Sequence, residues 1–267
     1  MSQSQQPLVI APRSFGQTSR NDRWWLVPLL VFLGLSTFIV YSTWAAFQGT
    51  HYRFGPYISP FYSPELFGGP HSWFGPKPTW FPTWLPWSPA LLILWAPGGF
   101  RLTCYYYRGA YYKAFWADPI SCAVGEPRKS YWGEKSLPLV LQNVHRYFLY
   151  LALIFIVLLT LDVWQAMWFT DAAGKVHFGI GLGTLILAVN VYLLGSYTFG
   201  CHSLRHLIGG GRDEISKSPL CYKAYKCVGC LNRRHMLYAW CSLFTVGFSD
   251  LYIRLCSMGV WHDWRIF

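Results

Sequence analysis

What most restricts this chain is a set of long stretches without a single Asp, Glu, Lys or Arg. Trp24–Phe47 and Val176–Gly200 are two of them, the second carrying only His177 near its start. About 20 such residues cross roughly 30 Å of hydrocarbon. Inside hydrocarbon every backbone N–H and C=O must be satisfied within the segment, which favours helices. Pro78–Phe100 is uncharged but proline-rich. Tyr147–Leu161 extends through 139–144 on one side and 163–169 on the other, and Met236–Ser249 continues past Asp250 and Arg254. These stretches predict an all-α integral membrane protein: a bundle of five transmembrane helices, at about 24–47, 79–112, 138–168, 177–208 and 233–257, after a tail over 1–23. The first stretch is too long and too aromatic for a signal peptide and lacks a small-residue cleavage site, so it is expected to stay as a span. Only 12% of the chain is charged, against about a quarter in soluble domains. Asp250 and Arg254, four apart, can pair on one helix face, which lowers the cost of both near a membrane boundary.

Lysine and arginine set the orientation. Seventeen of the 22 fall in the N-terminal tail, in 101–146 and in 205–234, on one side of this topology. The positive-inside rule then puts the N-terminus in the cytoplasm and the C-terminus outside. The net charge of +11 is accounted for by retention at the cytoplasmic face and by anionic membrane lipid, so nucleic acid is not the expected partner.

Residues 48–86, rich in Phe, Tyr, Trp, Pro and Gly, read as an outer loop whose rings anchor at headgroup level; a lid over a lipid-soluble ligand is the sharper reading. Ser88-Pro89 reads as a helix N-cap followed by Pro at the first helical position. Pro97-Gly98-Gly99 is expected to interrupt the helix that follows, which then resumes as "FRLTCYYYRGAYYKAFW".

The chemistry gathers at one depth. Seven of the eight cysteines, all but Cys256, lie in or near the cytoplasmic half, where disulfides are disfavoured. His145, His202, His206 and His235 fall near cytoplasmic helix ends. In "GCHSLRHLIGG", His202 and His206 are four apart and leave the same helix face, so both can reach one metal ion but cannot ligate the two faces of one haem. A haem would need one of them with His145 or His235. Cys201 points about 100° away from its neighbour His202 on a continuous helix. Cys104 and Cys122 form another thiol pair, the latter in a loop able to fold back. Two thiolates and two imidazoles make the ligand set of a Rieske-type [2Fe–2S] centre. Cys227-Val-Gly-Cys230 has metal-clip spacing without a second CxxC; with Cys221 and His235 it could hold zinc.

Several segments, "FRLTCYYYRGAYYKAFW", "DPISCAVGEP", "LQNVHRYFLYLALIF", "CHSLRH" and "NRRHMLYAWCSLFTVGFSDLYI", resemble the membrane-anchor (cytochrome b-like, C) subunit of actinobacterial-type succinate dehydrogenase, respiratory complex II. The likeness runs from about Phe100 to the C-terminus. It implies a complex in the bacterial plasma membrane with a flavoprotein and an iron–sulfur subunit on the cytoplasmic face, oxidising succinate and passing electrons to a quinone, menaquinone above all. It also implies a Rieske-type [2Fe–2S] cluster where a haem would be expected. Relatives read Cys-His-Ser-Cys-Arg-His where this chain has Leu204 at the fourth position, so that position supplies no ligand here.

The preferred ligands on this reading are Cys104 and Cys122 on one iron and His202 and His206 on the other, with Cys201, His145 and His235 in reserve. Arg205, Tyr105 and Tyr106 are the candidate quinone contacts; Asp118, Glu126 and Tyr107 are weaker candidates as proton donors. The chain holds no flavin or succinate motif, so it is not expected to be an enzyme alone, and a higher oligomer of the complex is compatible with it. The alternatives are the same role with one or two b-type haems, using His145 with His202 or His206 and, toward the outside, His51 with His177, and a zinc-stabilised transporter or assembly factor.

Overall fold

The computed structural model describes residues 14–69, 71–117, 119–128 and 143–267. They fall into two compact units, one from residues up to 36 with 105–141, the other from 37–104 with 142–267. Helix α1 (Leu26–Gln48) begins in the first and continues into the second.

In the first unit the chain after residue 13 pairs with the loop around Val124. Thr18 and Val124 form an antiparallel bridge, and Arg20 donates to Ser121 Oγ at 2.9 Å and to the Cys122 carbonyl at 3.0 Å. Helix α3 (Tyr105–Tyr111) continues as a π-helical turn over Tyr112–Trp116 and stops where Ala117 turns left-handed.

The second unit holds α2 (Trp95–Leu102), α4 (His145–Gln165), α5 (Leu182–Phe199), α6 (His202–Gly209), α7 (Pro219–Asn232) and α8 (His235–Ser257). Among the described residues four helices are long and apolar enough to cross a membrane: α1, α4, α5 and α8. Within their most apolar stretches α5 and α8 bury 44% of residues, against 11% for α1 and 17% for α4. The last two therefore turn most of their surface outward, to lipid.

The stretch expected to form a span at 79–112 is instead broken. Ser88 does precede a short helical turn over Pro89–Leu92, but its hydroxyl is directed at Tyr62 Oη, 3.3 Å away. Pro97 does not interrupt a helix; it lies in the first turn of α2, where a missing N–H costs nothing. The backbone bends on either side of α2, at Ile93 and at Thr103-Cys104. Gly99 explains the close approach of α2 to α4, because a Cβ there would lie 2.2 Å from the Phe148 ring. The expected span at 177–208 is also two pieces: α5 ends at Phe199 and Cys201 caps α6. A Cβ on Gly200 would lie 2.8 Å from the Ser196 carbonyl and 3.2 Å from the backbone of Leu231, so the bend between α5 and α6 can pass α7 only with glycine there.

The segment between α1 and α2 is packed rather than loose. It contains the hairpin β1 (Arg53–Phe54) and β2 (Tyr57–Ile58). Tyr57, Phe61 and Tyr62 are buried, while Trp73, Phe74, Trp80 and Trp84 remain exposed. A second hairpin, β3 (Trp168–Thr170) with β4 (Val176–Phe178), joins α4 to α5.

The predicted pair forms: Arg254 Nε lies 3.2 Å from Asp250 Oδ2, with both side chains almost wholly buried. Tyr41 donates to Asp250 at 2.7 Å, Ser59 donates to its other oxygen, and Arg254 donates to the Thr50 carbonyl at 2.8 Å. Nearby Glu65 is buried and held by Arg53 at 2.8 Å and by the Tyr52 hydroxyl.

Candidate metal centre

Four segments bring sulfur and imidazole to one place, at the far end of α4 and α8 from the Asp250–Arg254 pair. Cys104 follows α2, His145 opens α4, Cys201 and His202 open α6, and His235 opens α8. Cys104, His145 and Cys201 are buried. The ligating atoms of His145, Cys201 and His202 lie within 4.8 Å of one another. Cys104 Sγ is 3.6 Å from His235 Nε2.

The surroundings fix these rings. Thr103 Oγ1 donates its single proton to the Gly99 carbonyl at 2.7 Å. At its 2.9 Å contact with His145 Nδ1 it must therefore accept, so the ring proton sits on Nδ1. His145 Nε2 then turns its lone pair toward Cys201 Sγ, 3.0 Å away. A hydrogen bond on the remote nitrogen that frees the near one is what a metal-ligating histidine requires. Phe100 stacks on His145 at 4.7 Å and Tyr197 on His235 at 4.8 Å, which leaves little freedom of tilt. His235 Nδ1 is buried with no hydrogen-bond partner among the described residues, a costly state for a polar atom unless something binds it.

Cys201 is the N-cap of α6, its sulfur accepting from the Ser203 amide at 3.4 Å. Burial pushes this thiol up to about 11, so it carries its proton at neutral pH. A metal would displace that proton, and the N-terminus of α6 would stabilise the resulting thiolate.

Among the sequence candidates, Cys104 and His202 belong to this cluster, as do the three reserves, Cys201, His145 and His235. His206 stands one turn further along α6, exposed, its ring 6.2 Å from that of His202. Cys122 is an exposed thiol in the other unit. Tyr105 and Tyr106 also belong to that unit, Tyr105 with Arg108 over its ring at 4.0 Å. Arg205 lies over the Tyr225 ring of α7 at 4.6 Å. Asp118 lies outside the described residues. Cys227 and Cys230 are exposed on α7, and His235 faces Cys104 rather than joining them. Sequence reasoning undervalued Cys201; the signal was Gly200, which ends α5 and turns the next residue into a cap.

Beside the cluster, in the same unit, lies an apolar cavity of about 400 Å³. Phe100, Arg101, Tyr197 and Thr198 line it toward the cluster, and Pro60 and Phe61 toward the other end.

A family model described as actinobacterial succinate dehydrogenase subunit SdhC matches residues 26–259. The chain is similar to a solved chain of the Mycobacterium smegmatis Sdh1 complex in the apo form, at 41% identity. The alignment covers 98% of this chain and 97% of that one, with a TM-score of 0.85. No curated protein matches.

Proposed function

Because this chain belongs to the family of the actinobacterial succinate dehydrogenase subunit SdhC, we propose that it is the electron-transferring anchor of that complex. A flavoprotein and an iron–sulfur subunit dock on its cytoplasmic face, where the metal-centre end lies by the positive-inside rule. Succinate is oxidised in those partners. This chain carries electrons from them into the membrane, through a Rieske-type [2Fe–2S] cluster, to a quinone of the menaquinone type.

The observation that carries the reading is the donor set. Cys104 and Cys201 supply two thiols, and His145, His202 and His235 supply three imidazoles. Two thiolates on one iron and two imidazoles on the other are what a Rieske-type cluster takes. The freed Nε2 of His145 and the Nε2 of His235, which faces Cys104 Sγ, suit ligation. Relative to the set preferred from sequence, Cys201 takes the place of Cys122. Bound there, the cluster supplies one-electron transfer; the chain's own part is to hold it. Thr103 orients His145, Phe100 and Tyr197 fix the planes of the His145 and His235 rings, and Cys104, His145 and Cys201 are buried while His202 is exposed. The adjacent cavity accepts an apolar, ring-bearing molecule from the bilayer.

A b-type haem would fill the same role, but Cys201 Sγ lies 3.0 Å from His145 Nε2, in the place a haem iron on that nitrogen would take. The transporter or assembly-factor reading loses its ground with the family assignment.

Iron and flavin quantified in the purified complex, with an optical spectrum of the reduced form, test the reading. It predicts two irons beyond those of the iron–sulfur subunit and no haem. Sharp reduced α and Soret bands at one haem per flavin would contradict it.

A further inference from the structure

Arg101 is a cation in the membrane region that lines the cavity and is separated from the candidate centre by one ring, Tyr197. It sits on α2, three residues before Cys104. Its guanidinium donates to the Ala239 carbonyl at 3.2 Å and to Ser242 Oγ at 2.9 Å, both on α8 one to two turns after His235. It lies over the Tyr197 ring at 4.8 Å, and Tyr197 in turn stacks on His235. The same arginine lines the apolar cavity.

An arginine in a membrane protein is costly and marks function by default. We propose that Arg101 is the residue that binds the quinone oxygen in the cavity and, across Tyr197, raises the reduction potential of the metal centre. This rests on the reading above and moves the quinone contact from Arg205 to Arg101.

The chemistry balances as follows. Two electrons from succinate and two protons from water convert the quinone to the quinol. Each electron adds negative charge to a quinone oxygen before a proton reaches it. The Arg101 guanidinium lowers the energy of that charge by a charge-assisted hydrogen bond in a site of low dielectric. The same positive charge favours the reduced, more negative metal centre. One residue thus stabilises the reduced forms of both donor and acceptor and holds the acceptor in place. Arg205, lying over Tyr225 on the α6–α7 hairpin, does not line this cavity.

The test is made in the whole purified complex with Arg101→Gln, Arg101→Lys and Arg205→Gln. Flavin content and thermal midpoint report assembly. Two readouts follow: kcat and KM for a short-chain quinone, and the midpoint potential of the cluster from an EPR-monitored redox titration. Arg101→Gln should lower kcat about tenfold or more and shift the midpoint to more negative potential. Arg101→Lys, which keeps the charge and loses the fork, should restore most of the midpoint and less of the kcat. If Arg101→Gln assembles with wild-type midpoint and kinetics, or if Arg205→Gln alone slows quinone reduction, the proposal is overturned and the metal-centre reading still stands. If Arg101→Gln fails to assemble, Arg101→Lys decides: wild-type kinetics with a wild-type midpoint overturns the proposal. A wild-type complex with no [2Fe–2S] signal from this subunit would remove the reading itself.

Discussion

The two ends of α8 solve opposite problems with buried polar groups. Around Asp250 and Arg254 opposite charges meet, and the oxygens and N–H groups find hydroxyls and a carbonyl: Tyr41, Ser59 and Thr50. Around His235 and Cys104 the groups are thiols and imidazoles. They converge without neutralising one another, and one nitrogen, His235 Nδ1, has no partner among the described residues. A satisfied network explains itself as structure. A convergent set of soft and borderline donors with an unmet atom calls for something to bind.

Substitutions can break this contrast. The largest stability effect belongs to the satisfied end. Asp250→Leu leaves Arg254 buried and unpaired, and should cost about 3–5 kcal/mol in thermal or denaturant unfolding of the complex. Adding Arg254→Met should recover most of that loss, because the pair is replaced as a unit. Turnover per assembled complex should be unchanged in the double variant; a loss there would mean the charges serve catalysis.

At the other end Thr103→Val removes the acceptor that holds His145 in its tautomer. Cluster content or quinone reductase activity should fall by about 10–100-fold, with little change in assembly. Unaltered cluster content and rate would show that the tautomer argument has no consequence.

Midway along α5 stands Asn190, fully buried, with both amide atoms unpartnered among the described residues. Asn190→Leu, close in volume, should stabilise the complex by about 1 kcal/mol. A destabilised variant would mean that Asn190 binds a group from outside the described residues.

The smallest effect is expected in the hairpin between α4 and α5. Amide hydrogen bonds, chiefly from Lys175, and His177 beside it hold the Asp171 carboxyl below its ordinary value. A depressed carboxylate contributes stability above the ordinary value, about 3.9, and loses it as pH falls through the folded value. Amide exchange in β3–β4 should therefore keep its protection from neutral pH down to about 4 and lose it below. Asp171→Asn should remove that pH dependence.

Much of this contrast was readable in the sequence, and its gaps have physical causes. Helices α1 and α5 follow from uncharged length alone, and α4 and α8 from apolar runs that continue past a charged residue. The Asp250–Arg254 pair follows from spacing, since four residues place two side chains on one face. The depth of the cysteines and histidines follows from where the spans end. Periodicity assumes continuous helix, however, and it failed wherever the backbone turns. The bend at Gly200 converts Cys201 from a flank residue to a cap beside His145. The bend at Thr103-Cys104 lets Cys104 meet His235. Pro97 marked a beginning, not a break, because its ring is harmless in a first turn. The tautomer of His145 needed coordinates, since it depends on where one hydroxyl proton goes.

The central claim is that Cys201, and not Cys122, completes the metal centre. EPR spectroscopy of the reduced complex carrying Cys201→Ser or Cys122→Ser tests it most directly. The account predicts that Cys201→Ser loses or grossly alters the high-field-shifted [2Fe–2S] signal, while flavin and the iron–sulfur signals of the partner subunit remain. Cys122→Ser should keep the wild-type spectrum. Loss of the signal in Cys122→Ser, with the signal intact in Cys201→Ser, would contradict it.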